Sequence, residues 1–251
     1  EISTYVVGAR LTRVPLSEWA HDLEAMAEVH ADLAYVVNPH NPTGTARSRA
    51  EIAHFAENCR ASLVVVDEAY IDFADDPALI TSLPLLTTGR VAVLRTFSKA
   101  HGLAGLRVGY LVAPPTVIET LRKIRPPFSV GALAQAGAVA AARDAEHHAR
   151  VRAHTLRNRR VLTRQFEDAG YRVVPSQANF ILVQVPDEDS LVTCLGRHGV
   201  AVRAGSALGI PGTVRVSVPS DDGLDLIATA LRNEVHGLPV NHSPQSGLKE
   251  S

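Results

Sequence analysis

Cysteine is scarce. Cys59 and Cys194 are the two thiols in 251 residues, and neither has another cysteine nearby. That spacing excludes a disulfide framework, a zinc knuckle and a paired-thiol redox motif, and it suits a reducing cytoplasm. Long apolar runs are missing too: none approaches the roughly 20 residues needed to span a bilayer. The opening EISTYVVGAR lacks the charged-then-apolar order of a secretion signal, so no membrane partner is expected. Neither sign of charge is in excess, with 25 basic against 26 acidic residues and a formal net charge of -1, so no basic face is offered to nucleic acid. The arginines Arg150, Arg152, Arg157, Arg159, Arg160 and Arg164 read as the solvated face of a helix. His147 and His148 are adjacent, and sequence neighbours do not share a helix face, so no metal ligands are expected from that pair. Internal repeats are absent, and GLAGLRVG lacks the dinucleotide-binding glycine pattern after a strand. What remains is a chain of 46% hydrophobic and 20% charged residues, long enough for one large globular domain or a large and a small one, and suited to small-molecule chemistry.

Short apolar runs alternate with amphipathic stretches, the pattern of strands feeding crossover helices in a mostly parallel sheet. LAYVV (33–37), LVVV (63–66) and VAVLRT (91–96) read as buried strands, because aliphatic residues run on without polar alternation. Ser48 and Glu51 have capping-box spacing and open a helix through about Cys59. From Gly131 to about Gly170 proline is absent, and one or two long helices are expected. Beyond it YRVV, NFILVQV, VAVRAG and TVRVSV alternate with the helical stretches DEDSLVTCLGRHG and DDGLDLIATALRNEV, the second capped by Ser220, as in a small α+β domain. The expected division is a large domain over 1–145, a small domain over 146–235 and a disordered tail over 236–251, where the sequence is polar and broken by Pro and Gly.

A polar cluster follows each of the first three strands: NPHNPTG (38–44), DEAY (67–70) and SK (98–99). Open α/β sheets bind ligands outside the carboxyl ends of their strands, so three such clusters point at one site. Asp67, directly after four aliphatics, is costly to keep charged unless it meets a cation or hydrogen-bond donors. From Asp67 and Lys99 alone, a structural ion pair and a functional site are equally good readings. Thr96, Ser98 and Arg107 then surround Lys99 with hydroxyls and a forked cation suited to a phosphate, and Asn41 and Tyr70 add neutral donors. A cofactor with a phosphate, an aldehyde, a ring nitrogen and a ring hydroxyl would engage all of these groups; pyridoxal phosphate has those four parts.

NPHNPTG, DEAYIDF and RTFSKAHGLAGLRVGY together resemble fold-type-I pyridoxal-phosphate aminotransferases of class I/II, most of all histidinol-phosphate aminotransferases and their aromatic-amino-acid relatives, from about Glu1 to Val235. The resemblance implies an α/β fold with an incomplete large domain and a small C-terminal α+β domain. It implies that Lys99 is the Schiff-base lysine, that Asp67 keeps the pyridine nitrogen protonated, and that Asn41 and Tyr70 hydrogen-bond the ring hydroxyl. Ala69 would lie beneath the ring, and Thr96, Ser98 and Arg107 would grip the phosphate. Lys99, Asp67 and Tyr70 are the implied catalytic residues. Arg215 resembles the clamp on the substrate α-carboxylate. Arg203 resembles a second arginine that helps grip the phosphate of histidinol phosphate, with a surface arginine an equal reading. The implied activity is ping-pong amino transfer between histidinol phosphate or an aromatic amino acid and a 2-oxo acid such as 2-oxoglutarate, by a cytoplasmic homodimer. The chain starts at a point matching the middle of the family's large domain, so a longer parent is expected, with this piece a weak enzyme by itself. His101 stands where the family often has an aromatic residue, and a packing role is expected for it. Two rivals share these motifs: a pyridoxal-phosphate decarboxylase similar to threonine-phosphate decarboxylases, and the aminotransferase-like domain of a transcription regulator.

Overall fold

The first three strands form as the aliphatic pattern requires. In the computed structural model, which describes residues 2–237, β1 (Leu33–Val37), β2 (Leu63–Asp67) and β3 (Val91–Thr96) are parallel neighbours. β4 (Gly109–Val112) adds to β3 antiparallel, giving the order β1-β2-β3-β4. Val64, Val66, Val91 and Val93 are fully buried against Ile52 and Phe55 of α1 (Arg49–Asn58). That helix starts where expected: Ser48 Oγ accepts from Glu51 N at 3.2 Å while Glu51 Oε2 accepts from Ser48 N at 2.7 Å. β1 departs from the buried strand expected of its sequence, since Leu33 and Tyr35 are 49% and 45% exposed. It is an edge strand, and aliphatic continuity alone does not distinguish an edge from a centre. β4 was hidden in the RVGY stretch. It comes so close to its neighbour that a Cβ on Gly109 would stand 2.7 Å from Arg95 O.

The stretch from Gly131 to Gly170 forms two helices, α2 (Ala132–Arg143) and α3 (Ala145–Asp168), broken at Asp144, whose side chain caps α3 by accepting from His147 N at 2.9 Å. β5 (Arg172–Val174), β6 (Phe180–Gln184), β7 (Arg203–Ala204) and β8 (Thr213–Ser217) make an antiparallel sheet in the order β5-β6-β8-β7. α4 (Glu188–Arg197), α5 (Asp221–Gly237) and the second half of α3 cover it, with Leu162, Phe166, Ile181, Leu191, Leu195 and Ile227 at the centre. VAVRAG supplies two strand residues only, because Gly205 lies against Thr213 and the chain then turns through Ser206–Leu208. Ser220 caps α5 through Gly223 N at 3.3 Å, and α5 runs to Gly237, so the expected tail begins two residues inside a helix; 238–251 lie outside the described residues.

α3 joins the two sheets. Arg159 donates to Phe73 O at 2.7 Å, to Ala178 O at 2.9 Å and to the Asp75 carboxylate at 2.9 Å. This buried arginine corrects the reading of the whole run as a solvated face: where a helix crosses between two sheets, a long cationic side chain can satisfy carbonyls from both. No described helix is long and apolar enough to cross a membrane.

Candidate active site

The ends of β2 and β3 enclose a cavity of about 360 Å³ whose lining includes Asp67, Ala69, Thr96, Ser98, Lys99 and Arg107. Six of the residues singled out in the sequence therefore share one space, because the parallel register of β2 and β3 brings their carboxyl ends side by side. The turn after β3 is fixed by Ser98 N donating to Thr96 Oγ1 at 3.0 Å. Arg107 adopts the left-handed region (φ 50°) and donates Nη1 to Ala104 O at 2.7 Å, one of the five donors of its fork. Asp67 Oδ1 accepts from Ala69 N at 3.0 Å, and Oδ2 accepts from the Tyr35 hydroxyl at 2.5 Å. Burial, followed by the hydrogen bond to Asp67 and its charge, raises the Tyr35 pKa, so the phenol stays a donor. Tyr35 was missed in the sequence; its one signal is a hydroxyl on the strand that pairs with that of Asp67. Asp67 and Lys99 line the same cavity, and the hydrogen bonds to the Asp67 carboxylate come from Tyr35 and Ala69.

Asn41, Tyr70 and Arg215 stand beside this cavity. Lys99 Nζ is 5.0 Å from the Tyr70 ring centroid, Tyr70 meets Phe180 edge to face at 5.3 Å, and the Arg215 guanidinium lies 5.1 Å over Phe180. Arg215 Nη1 in turn donates to Asn41 Oδ1 at 2.6 Å. A continuous line of contacts thus runs from Lys99 on one sheet to Arg215 on the other and back to the NPHNPTG loop. Phe180 was also missed; it is the diagonal cross-strand neighbour of Arg215 on the antiparallel pair β6 and β8. The loop is held against the second sheet by Gln177 N donating to Gly44 O at 2.7 Å, and Gly44 (φ +81°) is required there because a Cβ would collide with Ser176. Arg203 is exposed and sits directly opposite Arg215 in the register of β7 and β8. Burial, with a contribution from the Arg203 charge, lowers the Arg215 pKa, opposed by Tyr70.

Neighbouring polar residues have closed partnerships. Glu68, 1% exposed, accepts from Ser82 N at 2.5 Å and from Arg95 Nη2 and Nε at 2.7 and 3.0 Å. His21 Nε2 accepts from Val37 N at 3.1 Å, and its ring meets that of His40 at 4.6 Å. Burial, then the Arg47 charge, lowers the His21 pKa to about 4; burial, then His21, lowers that of His40 to about 3. Both imidazoles are neutral; His40 belongs to the NPHNPTG loop, and His21 packs its ring against it. His101 stacks between Phe97 at 4.9 Å and His148 at 5.3 Å.

Residues 3–231 match the family model described as aminotransferase class I and II. The chain belongs to that family. Among aminotransferase relatives, histidinol-phosphate aminotransferases of Brevibacillus brevis and Moorella thermoacetica are 38% and 40% identical, each across 92% of this chain and 65% and 62% of their own lengths. The chain therefore spans less than two thirds of these curated relatives. The crystal structure of histidinol-phosphate aminotransferase from Sinorhizobium meliloti, in complex with pyridoxal-5'-phosphate, superposes with a TM-score of 0.84 at 30% identity over 95% of this chain and 67% of that one. The architecture is that of fold-type-I transferases, of which this chain holds part.

Proposed function

We propose that this chain is part of a pyridoxal-phosphate-dependent aminotransferase that moves an amino group from histidinol phosphate to 2-oxoglutarate, with an aromatic amino acid as the second candidate donor. The observation that carries this reading is the single cavity in which Lys99 stands among Asp67, Thr96, Ser98 and Arg107. Its donor set fits the cofactor. The two hydroxyls and the arginine fork suit a phosphate dianion, the Asp67 carboxylate suits a protonated ring nitrogen, and Ala69 and Leu94 offer apolar lining to a flat ring. Asn41 and Tyr70, beside the cavity, would hydrogen-bond a ring hydroxyl. When bound, pyridoxal phosphate supplies an electron sink for the pair released as a substrate Cα–H bond breaks.

The chain's own groups do the remaining work. Lys99 would hold the cofactor, and its side-chain amine, standing in the same cavity, would move a proton at the substrate Cα as base and then acid. Asp67 would keep a proton on the ring nitrogen, its carboxylate oriented by Tyr35, which donates to Oδ2. Arg215 binds the substrate's anionic group. Arg203, opposite it, carries a like charge, which destabilises a cross-strand pair unless an anion lies between the two. That juxtaposition supports a phosphate-bearing donor, as do the names of the relatives. One site serving amine and 2-oxo acid in turn gives ping-pong kinetics. The longer relatives support a parent protein, which we read as a homodimer, in which a longer chain completes the site.

Single-turnover absorption spectroscopy of the longer parent protein, in which the site is complete, tests this reading. Histidinol phosphate should convert the bound cofactor to its amine form, and 2-oxoglutarate should return it. Release of CO2 with no dependence on a 2-oxo acid would establish the decarboxylase instead, and no response to amine or 2-oxo acid would overturn the enzymatic reading.

A further inference from the structure

Three side chains from three separate segments converge beside the turn that follows Lys99. Asp72 comes from the turn Ile71–Phe73, His101 from two residues past Lys99, and His148 from the first turn of α3. One ligand atom from each lies within 4.8 Å of the other two, and all three residues are half-buried. His148 Nε2 is 3.3 Å from Asp72 Oδ1. A tetrahedral zinc ion with bonds of about 2.0–2.1 Å separates its ligand atoms by about 3.3–3.4 Å. One edge of such a site is therefore already at that spacing, and His101 offers a ligand atom within 4.8 Å of the other two.

The backbones that carry these groups are already held by the protein's own hydrogen bonds. Phe73 N donates to Tyr70 O at 3.1 Å, Gly102 N to Lys99 O at 2.9 Å, and His148 N to Asp144 O at 3.2 Å. Arg152, one turn further along α3, donates to Ala74 O and Asp75 O, each at 2.9 Å, and so pins the helix to the segment carrying Asp72. Little ordering is left for a ligand to impose. Imidazole nitrogen with carboxylate oxygen is a donor set of zinc and its late first-row neighbours. The adjacency of His147 and His148 gave no sign of this, because the other two ligands come from distant parts of the chain.

We propose that Asp72, His101 and His148 form a binding site for a zinc-class divalent cation, with its fourth position open to water. The ion ties the start of α3 to the turn bearing Lys99. The proposal does not depend on the aminotransferase reading.

The test uses the full chain, freed of metal by chelator dialysis. Titration with Zn2+ followed by calorimetry should give one equivalent bound. Co2+ should give the intense visible bands of a tetrahedral site, which zinc then displaces, and zinc should raise the Tm in a manner that chelator reverses. His148→Gln and Asp72→Asn should each weaken zinc binding at least about tenfold, whereas His147→Gln should leave it unchanged. His101→Phe keeps a flat ring against Phe97 and serves as the variant least able to disturb folding; it too must weaken binding. A chain that takes up no zinc, or binding that survives these substitutions, overturns the proposal and leaves a hydrogen-bonded stack of rings.

Discussion

Asp67 and Glu68 are neighbours in the chain, and the regions they enter are built on opposite terms. Glu68 is sealed by Ser82 N, the Thr81 hydroxyl and two nitrogens of Arg95, all from the protein itself. Asp67 has the Tyr35 hydroxyl and one backbone N–H and faces a cavity of about 360 Å³ that also holds Lys99 and Arg107. A closed network of charges is a structural device, since removing one partner strands the other. Charges of both signs gathered round a cavity are what a ligand with complementary parts requires.

The sharpest break in this comparison is at Lys99. Lys99→Ala should lower amino transfer by at least about 10²–10⁴-fold, the worth of a proton-transfer group, while thermal unfolding shifts by no more than about 0.5 kcal/mol. A large stability loss would return Lys99 to a structural role. On the other side, Glu68→Ala should cost about 3–5 kcal/mol in denaturant unfolding, because it leaves the Arg95 charge and the Ser82 N–H unsatisfied. An unfolding midpoint equal to that of the parent would dissolve the distinction between the two carboxylates.

Arg203→Ala sharpens the comparison at the substrate end. If the Arg203–Arg215 pair grips a phosphate, kcat/KM for histidinol phosphate should drop about 10–100-fold, the worth of a charge-assisted hydrogen bond, and far less for phenylalanine. Equal small effects on both donors would place Arg203 on the surface. The last expected effect concerns pH. His21 is neutral in the folded chain with a pKa lowered to about 4, and it accepts a backbone hydrogen bond through Nε2. The unfolded chain, with an ordinary histidine pKa near 6.5, binds a proton first on acidification, so this contribution to stability is full above about pH 6.5 and is lost towards pH 4. Tm measured across that window should fall, and His21→Gln should flatten the slope; an unchanged slope would mean that the ring does not resist protonation.

Much of this was legible locally. The capping box at Ser48 and Glu51, the strand cores and the cluster of polar residues after each strand depend on neighbours within a few positions. Six of the residues singled out share a cavity because the parallel strands β2 and β3 align two of those clusters. What was not legible depends on which segments cross in space. Tyr35 reaches Asp67 from another strand, Phe180 reaches Tyr70 from another sheet, and Arg159 is buried only because α3 passes between two carbonyls distant in sequence. Likewise nothing in DEAY distinguishes the sealed Glu68 from the open Asp67, since the seal comes from Ser82 and Arg95.

The most direct measurement treats the chain with pyridoxal 5'-phosphate, reduces the mixture with borohydride and locates the adduct by peptide mass mapping. The chain has three lysines, Lys99, Lys123 and Lys249. If Lys99 is the group at the centre of the cavity that holds the cofactor, the adduct sits on Lys99 and disappears in Lys99→Ala. Labelling of Lys123 or Lys249 with Lys99 unmodified would contradict the account.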